Sequence, residues 1–438
     1  MQQLSTTWFQ YQLEQLPQTQ HFRIAFSGGM DSRVLLELCT QLQAVNCEHH
    51  FSAIHINHQL QIQSEAWAEF CITTCHQLNL DCIVKTVNVR QTKGKSLEQA
   101  ARDARRNVFH EVMNAGDVLL TAHHLNDQAE TVLLRLFRGS GITGLSGIRD
   151  CVNFASGWMA RPLLSVTHDT ILHYATQHSL QWVQDPTNQS LDYDRNYLRH
   201  IVIPQLEQRW QGVQNTLARN ATHCQQADTI ISDIARQTLQ TIVNNEGHLV
   251  ISKLIAEDDA MQNLVLREWF VHHSLNLPSS AIIRRIKQEV IGARIDAQPC
   301  LPWLSDGKQY QLRRYRNLLC LVPPKLPFDS SLVIPWDGQS VLELPANLGD
   351  IKAISSETGG IDLQTWNSST ITIRFRNGRE KCQLPGRTGH RELKAIFQEL
   401  GIPPWERSSL PLVYLDDQLA AIGERLICGP FHVSSTQP

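Results

Sequence analysis

At 438 residues the chain is long enough for two or three domains, each with its own core. Hydrophobic residues make up 42%, charged residues 18%, and the formal net charge is −3; this excludes a disordered chain and a uniformly basic nucleic-acid binder, so RNA contact must come from local patches. Eleven dispersed cysteines with no Cys-x-x-Cys pair argue for reduced thiols; with no signal-peptide core and no window near the ~20 apolar residues of a membrane span, a cytoplasmic protein without a membrane partner is expected.

Up to about residue 125, apolar runs alternate with helical patterns. Strands are expected near 22–26, 51–56, 82–89 and 118–121, and helices near 31–43, 64–79 and 96–114, the last with Leu97, Ala100, Ala101, Ala104 and Val108 on one face. Such alternation implies βαβ units and a parallel sheet, whose ligands gather beyond the C-terminal strand ends. Three polar stretches fall there: 27–32, His55 to His58, and His123 to Asp127.

The first, Ser27-Gly28-Gly29-Met30-Asp31-Ser32, joins a strand to a helix. Bare N–H groups at the positive end of a helix dipole suit a phosphate, the two serines add hydroxyls, and Asp31 suits a magnesium ion bridging phosphates. It is neither the Walker pattern nor Gly-x-Gly-x-x-Gly. A small polar turn would explain the glycines alone, but the flanking strand, helix and Asp-Ser ending favour a nucleotide. In the stretch after the fourth strand, His123, Asp127 and Glu130 lie at i, i+4 and i+7 and converge at the mouth of a site. Asn126 or Asp127 also suits the helix cap. Zinc competes poorly, without His-Glu-x-x-His or a nearby cysteine. The glycines of 139–144 beside Arg135 and Arg138 fit either a helix stop or a phosphate contact. Arg102 suits either a solvated pair with Glu98 or a triphosphate. Arg195 and Arg199 lie one turn apart, suited to an anionic partner.

After Pro204 the pattern turns helical to about 297, and recurrent prolines over 300–350 read as a linker with short strands. The last segment mixes a strand (371–375), a helix (391–400) and an apolar run (410–415). Arg313, Arg314 and Arg316 form one basic cluster; Arg374, Arg376, Arg379, Lys381, Arg387 and Arg391 form another, suited to an RNA backbone.

Together these residues resemble a known family. The 27–32 loop is similar to the PP-loop of ATP pyrophosphatases. With His55-Ile56-Asn57-His58, Glu98 and Arg102, the block 122–148, Arg161-Pro162-Leu163-Leu164, Asp185 to Asn188 and Arg195 to Arg199, it resembles the tRNA(Ile)-lysidine synthase family over about 22–206. Residues 386–423 resemble that family's C-terminal domain. The resemblance implies an α/β fold: a parallel-sheet PP-loop domain of the adenine nucleotide alpha hydrolase kind (1–210), a helical tRNA-binding or substrate-adaptor domain (211–322) and a small mixed α/β C-terminal tRNA-binding domain (323–438). It implies ATP and Mg²⁺ as cofactors, and lysine and a CAU-anticodon isoleucine tRNA as partners; a homo-oligomer is left open. ATP adenylates the wobble cytidine, and lysine then displaces AMP. Carried over by position, Ser27, Gly28, Gly29, Asp31, Ser32, His55 and Arg102 hold ATP, Asp31 and Asp127 hold the metal, and Asp31, Asp127 and Glu130 are catalytic. Arg195, Arg199, Arg374, Arg376, Arg379, Arg387 and Arg391 are RNA-binding candidates. Asn126 stands where many members carry aspartate, with Asp127 next to it. The alternatives are a PP-loop tRNA thiolase and a non-catalytic tRNA-binding protein.

Overall fold

Alternating apolar and helical runs become a covered parallel sheet because the inner strands bury their apolar residues, Phe22, Ile24, Ala53, Ile54 and Val118 to Leu120 among them. The computed structural model describes residues 4–45, 49–88, 97–294, 297–305, 307–324, 326–356, 359–378 and 380–434, apart from the side chains of Leu97, Glu98 and Ser434. It divides into two compact units, Met1–Ile234 and Ala235–Pro438. In the first, helix α1 (Thr6–Glu14) precedes β1 (His21–Ala25), α2 (Met30–Val45), β2 (His50–Asn57), α3 (Ser64–Gln77), β3 (Asp81–Thr86), α4 (Leu97–Val112), β4 (Val118–Leu120) and α5 (Leu125–Phe137). Short helix α6 (Ile142–Leu145) leads into hairpin β5 (Cys151–Phe154) and β6 (Gly157–Ala160), followed by α7 (His168–Gln177).

The strand order is β3-β2-β1-β4-β6-β5, parallel except for the β5–β6 hairpin. The direction of winding reverses between β1 and β4, which opens a crevice at their C-terminal ends. Phe9, Ile24, Leu35 and Leu38 fill the core beneath it. The four expected parallel strands and the helices between them are present. The β5–β6 hairpin is an addition: its strands are too short to show a period, and Gly157 is needed because a Cβ there would lie 2.1 Å from the Asp117 carbonyl oxygen.

The second unit differs more from expectation. Helices Asp259–His272 and Ser280–Arg285 pack on a four-stranded antiparallel sheet built from Leu249–Val250, Leu318–Val322, Lys308–Tyr315 and Cys300–Ser305. The short strands expected over 300–322 are present, and they form a sheet over the core of Trp269, Phe270, Leu301, Leu312 and Leu319 in place of a linker. Pro302 is compatible with a strand because Cys300–Ser305 is at the sheet edge. Beyond it, a five-stranded antiparallel sheet includes Ile371–Arg374, Leu412–Leu415 and Gln418–Ile422, with helix Leu393–Glu399 alongside, as the mixed α/β reading expects. Cys382 and Cys428, both buried and 46 residues apart, form a disulfide, which corrects the reading of every cysteine as a reduced thiol. Among the described residues no helix is long and apolar enough to cross a membrane.

Candidate active site

The loop after β1 is a braced cradle. Gly28 has φ +83°, a left-handed backbone that favours glycine, and a Cβ there would lie 3.1 Å from the Cys71 Sγ on α3. The Gly28 carbonyl accepts from Val183 N–H at 2.9 Å. Ser32 Oγ donates to the Gly29 carbonyl at 2.9 Å and accepts from Ser27 N–H at 3.2 Å, and the two serine hydroxyls are 3.0 Å apart. Ser27 Oγ also accepts from Gly29 N–H at 3.3 Å. Both hydroxyls thus set the shape of the turn that opens α2.

His55 lies at the end of β2, buried, with Nδ1 2.9 Å from the Phe26 carbonyl. Only an Nδ1–H can donate there, so the ring is fixed in one tautomer. Burial pushes its pKa down, so the imidazole beside the loop is neutral. His58 is pushed down to about 4 by burial, Arg105 and His55. Arg102 on α4 is exposed and, among the described residues, has no carboxylate partner.

Opposite this loop, across the β1–β4 crevice, α5 begins. His124 precedes it in extended conformation, and the Asp127 carboxylate reaches back to accept from the His124 backbone N–H at 3.0 Å, closing the first turn. The His124 ring stands between two carboxylates, its Nε2 3.7 Å from Asp31 Oδ2 and 3.6 Å from Asp127 Oδ2. Asp31 and Asp127, 96 positions apart, thus share one imidazole. The His168 ring meets His124 edge-on at 5.6 Å, and Asn126 Oδ1 holds the His168 N–H at 2.9 Å.

The two aspartates titrate in opposite directions. Burial pushes the Asp31 carboxyl above its usual range, the nearby Asp127 charge adding to this and His124 opposing it. Burial would raise Asp127 too, but His124, Arg195, His123 and the His124 N–H bond outweigh it and hold this carboxyl below the usual range. His123 is pushed down to about 4, first by burial, and its Nδ1 is 2.8 Å from the Thr121 hydroxyl.

Arg195 and Arg199 have an internal anionic partner. They lie on a helical run over 194–209, formed by α8 (Asp194–Tyr197), a wider π turn (Leu198–Val202) and α9 (Ile203–Arg209). Pro204 has no N–H to give the His200 carbonyl, which favours the wider turn. Arg195 donates to Glu130 Oε2 at 2.7 Å and Asp127 Oδ1 at 3.0 Å; Arg199 donates to Glu130 Oε1 at 2.6 Å, Glu130 Oε2 at 2.9 Å and Asp127 Oδ1 at 3.2 Å. Glu130 is fully buried and both its oxygens are engaged. The spacing argument grouped His123, Asp127 and Glu130; the structure adds two arginines that close the group.

The glycine-rich stretch has a structural account. Arg135 Nη1 donates to the carbonyls of Gly144 (2.8 Å) and Gly147 (2.7 Å), and the Gln128 amide pairs with both backbone groups of Ile148. Asp228, on helix α10 (Val213–Ile242), accepts from Thr143 Oγ1 at 2.7 Å and Arg149 at 2.5 Å. Arg135 is thus taken up by carbonyls.

The C-terminal arginines lie in the second unit. Arg374 pairs with Asp417 and covers the Tyr414 ring at 4.5 Å, Arg376 covers Phe397 at 5.8 Å, and Arg391 meets Glu399 through two bonds of 2.8 and 2.9 Å. Arg387 is exposed, and Arg379 lies outside the described residues. In the other cluster, Arg314 caps the carbonyls of Ile291 and Ala293 and Arg313 covers Trp405.

The crevice can hold a nucleotide and a cation. Asp31 Oδ1 is buried with no hydrogen-bond partner, which leaves a carboxylate oxygen beside the loop free to meet a cation. Among the described residues no cluster of three or more His, Cys, Asp or Glu forms a preassembled metal site. One or two carboxylates completed by substrate phosphates and water are what Mg²⁺ takes, so the donor set fits that ion. Sequence reasoning missed His124 and His168. The histidine doublet at 123–124 was a readable signal for the first; no local signal marks His168, which α7 brings across from 44 positions downstream of His124.

The chain is similar to known proteins along most of its length. Residues 5–206 match the model of a PP-loop domain, 249–320 that of the TilS substrate binding domain, and 371–438 that of the TilS substrate C-terminal domain. A tRNA(Ile)-lysidine synthase of Methylococcus capsulatus is 37% identical over 404 residues, 92% of this chain and 91% of that protein. Those of Coxiella burnetii (36% identical, 96% and 92% covered) and Legionella pneumophila (37%, 96% and 93%) are similar over 425 residues. A solved U34-tRNA thiolase from Methanococcus maripaludis aligns with TM-score 0.43 at 16% identity over 50% of this chain and 76% of that one, too low to carry an argument.

Proposed function

The chain belongs to the tRNA(Ile)-lysidine synthase family, and on that premise we propose that it ligates free lysine to C2 of the wobble cytidine in isoleucine tRNA with a CAU anticodon. It is an ATP-dependent ligase built on a PP-loop domain. The observation that carries this reading is the pairing of loop 27–32 with the start of α5, with His124 between Asp31 and Asp127.

The cytidine O2 attacks the α-phosphorus of ATP, and the bond to pyrophosphate breaks. The Gly28 N–H and the first-turn N–H groups of α2, with the α2 dipole, would stabilise the departing charge in a turn whose shape the serine network already sets. Asp31 and Asp127 would hold Mg²⁺, which would neutralise phosphate charge. Lysine Nε then bonds to C2, the C2–O bond breaks, and AMP leaves with that oxygen. An ε-ammonium, ordinarily titrating near ~10.4, must lose one proton before attack and a second after addition. Asp127 stays ionised well below neutral pH and so suits orientation of the ammonium. Arg195 and Arg199 hold Asp127 and Glu130 in place. His55 suits the adenosine side of the loop, and Arg102, exposed and without a carboxylate partner among the described residues, suits the phosphates.

By this reading 1–210 is the catalytic segment, 211–322 the adaptor and 323–438 a tRNA-binding segment, with Arg374, Arg376, Arg387 and Arg391 facing RNA phosphates. Thiolation is disfavoured by the thiol nearest the loop: Cys71 is buried under Gly28 and burial pushes its pKa far up, opposite to what a nucleophile needs.

The test is incubation with ATP, Mg²⁺, radiolabelled lysine and transcribed isoleucine tRNA. Label should enter RNA and AMP should be released only when the wobble base is cytidine. Incorporation indifferent to that base, or none, overturns the reading.

A further inference from the structure

The helical run that carries Arg195 and Arg199 has a second face. Side chains two positions apart on a helix are turned by about 200°, so Tyr197 turns away from the carboxylates that Arg195 and Arg199 meet; Tyr193 precedes the helix in extended conformation. Both are exposed, Tyr193 at 44% and Tyr197 at 48%. At the end of α5, Leu136 and Phe137 are exposed at 50% and 67%. The two places adjoin, because Arg138 reaches Asp194 at 3.5 Å. That pair is itself on the surface, with side-chain exposures of 68% and 78%, so the guanidinium stays open to solvent. Two tyrosines, a phenylalanine and a leucine are thus exposed on the two segments that this ion pair joins.

Such a patch costs solubility, and isolated exposed apolar residues do not cluster this way without a partner. Its composition, π faces and an arginine, is that of a single-stranded nucleic-acid platform: bases stack on the rings and the cation takes a phosphate. Its place fits too. Asp127 and Phe137 share α5, ten residues apart, so the patch begins about 15 Å from the reacting crevice. That is the reach of two or three nucleotides of an unpaired loop.

We propose that Phe137, Tyr193 and Tyr197, with Arg138, stack on and hold the unpaired anticodon-loop nucleotides flanking the cytidine in the crevice. This rests on the lysine-ligating reading and adds the residues that present the base to the site. They position the RNA and touch no reacting atom.

The test compares the full chain with the Tyr193→Ala/Tyr197→Ala and Phe137→Ala variants, using the transcribed isoleucine tRNA. The alanine changes should raise KM for tRNA roughly tenfold, with a smaller change in kcat and none in KM for ATP. Tyr193→Phe/Tyr197→Phe should restore it, since stacking needs the ring and not the hydroxyl. With 2-aminopurine in place of the anticodon adenine, binding to the unaltered protein should quench its fluorescence, and the alanine variants should lose that quenching. Alanine variants with unchanged unfolding midpoint, tRNA KM and quenching overturn the proposal; so does loss of self-association at unchanged tRNA KM, which assigns the patch to a second copy of the chain. Absence of lysine transfer by the unaltered protein instead overturns the ligase reading, and the proposal with it.

Discussion

The crevice of the first unit and the arginine-rich face of the second use the same residue type in opposite ways. In the crevice Arg195 and Arg199 converge on two carboxylates, one of them fully buried, through five hydrogen bonds. In the second unit Arg374 and Arg391 each answer one surface carboxylate, and Arg387 is exposed. A buried charge network fixes geometry, because breaking it strands a charge in a poor solvent. A dispersed surface set leaves geometry loose and acts through summed field, which is what a phosphate backbone reads.

The largest effect expected from this contrast comes from Glu130→Ala. It leaves two guanidiniums facing a void, and we expect a loss of about 3 kcal/mol, the low end for a broken buried pair because both arginines retain some solvent. Chemical denaturation would show it, together with loss of lysine transfer; a wild-type midpoint would show that the network does not fix the crevice. The neighbouring Asp127 carries a pH signature. Its pKa is depressed on folding, so its stabilisation is present above the ordinary value of 3.8 and is lost as pH falls through the folded value below that. The deficit of Asp127→Asn should therefore appear at neutral pH and vanish in acid.

Next is Asp31→Asn, expected to lower kcat/KM by about 10²–10³ with a folded protein retained, on the scale of losing one preorganised electrostatic group. Burial raises this carboxyl, so it takes up its proton at a higher pH than an ordinary carboxylate. The apparent Mg²⁺ requirement should accordingly rise as pH falls toward that point, measured as the Mg²⁺ concentration for half-maximal AMP release. A pH-independent requirement would remove Asp31 from the metal.

Gly28→Ala is expected to cost about 1–2 kcal/mol for a left-handed residue, with weaker ATP binding by calorimetry. Adding Cys71→Ala should recover only the steric part, because the 3.1 Å contact is relieved and the backbone angle is not. The smallest effect is expected on the second unit. Arg387→Ala should leave the unfolding midpoint unchanged and reduce by about one the slope of log tRNA affinity against log salt. A change in stability instead would place this arginine with the structural set of the crevice.

Much of the first unit was legible in the chain, since the inner strands carry short apolar runs between helical patterns. Loop 27–32 and the helix from Leu125 could be placed at strand ends for that reason. The β5–β6 hairpin was not, because four-residue strands show no period, and the short strands expected among the prolines could not be joined into the 300–322 sheet while Pro302 reads as a break until its edge position is known. The site was legible in part. Asp31 and Asp127 were singled out by local pattern, but their shared contact with His124 joins different βα units. The role of Arg195 and Arg199 was open, since one-turn spacing gives a face and not the partner it meets.

Sequence alone determined the local chemistry: a glycine that turns left, serines within reach of the loop, a carboxylate at each helix start, and the family those motifs belong to. Tertiary structure decided which charges meet. Strand order places the ends of β1 and β4 side by side, and the 194–209 run then closes over Glu130. Pairing of that kind depends on distance in space, which a periodic pattern along the chain does not encode.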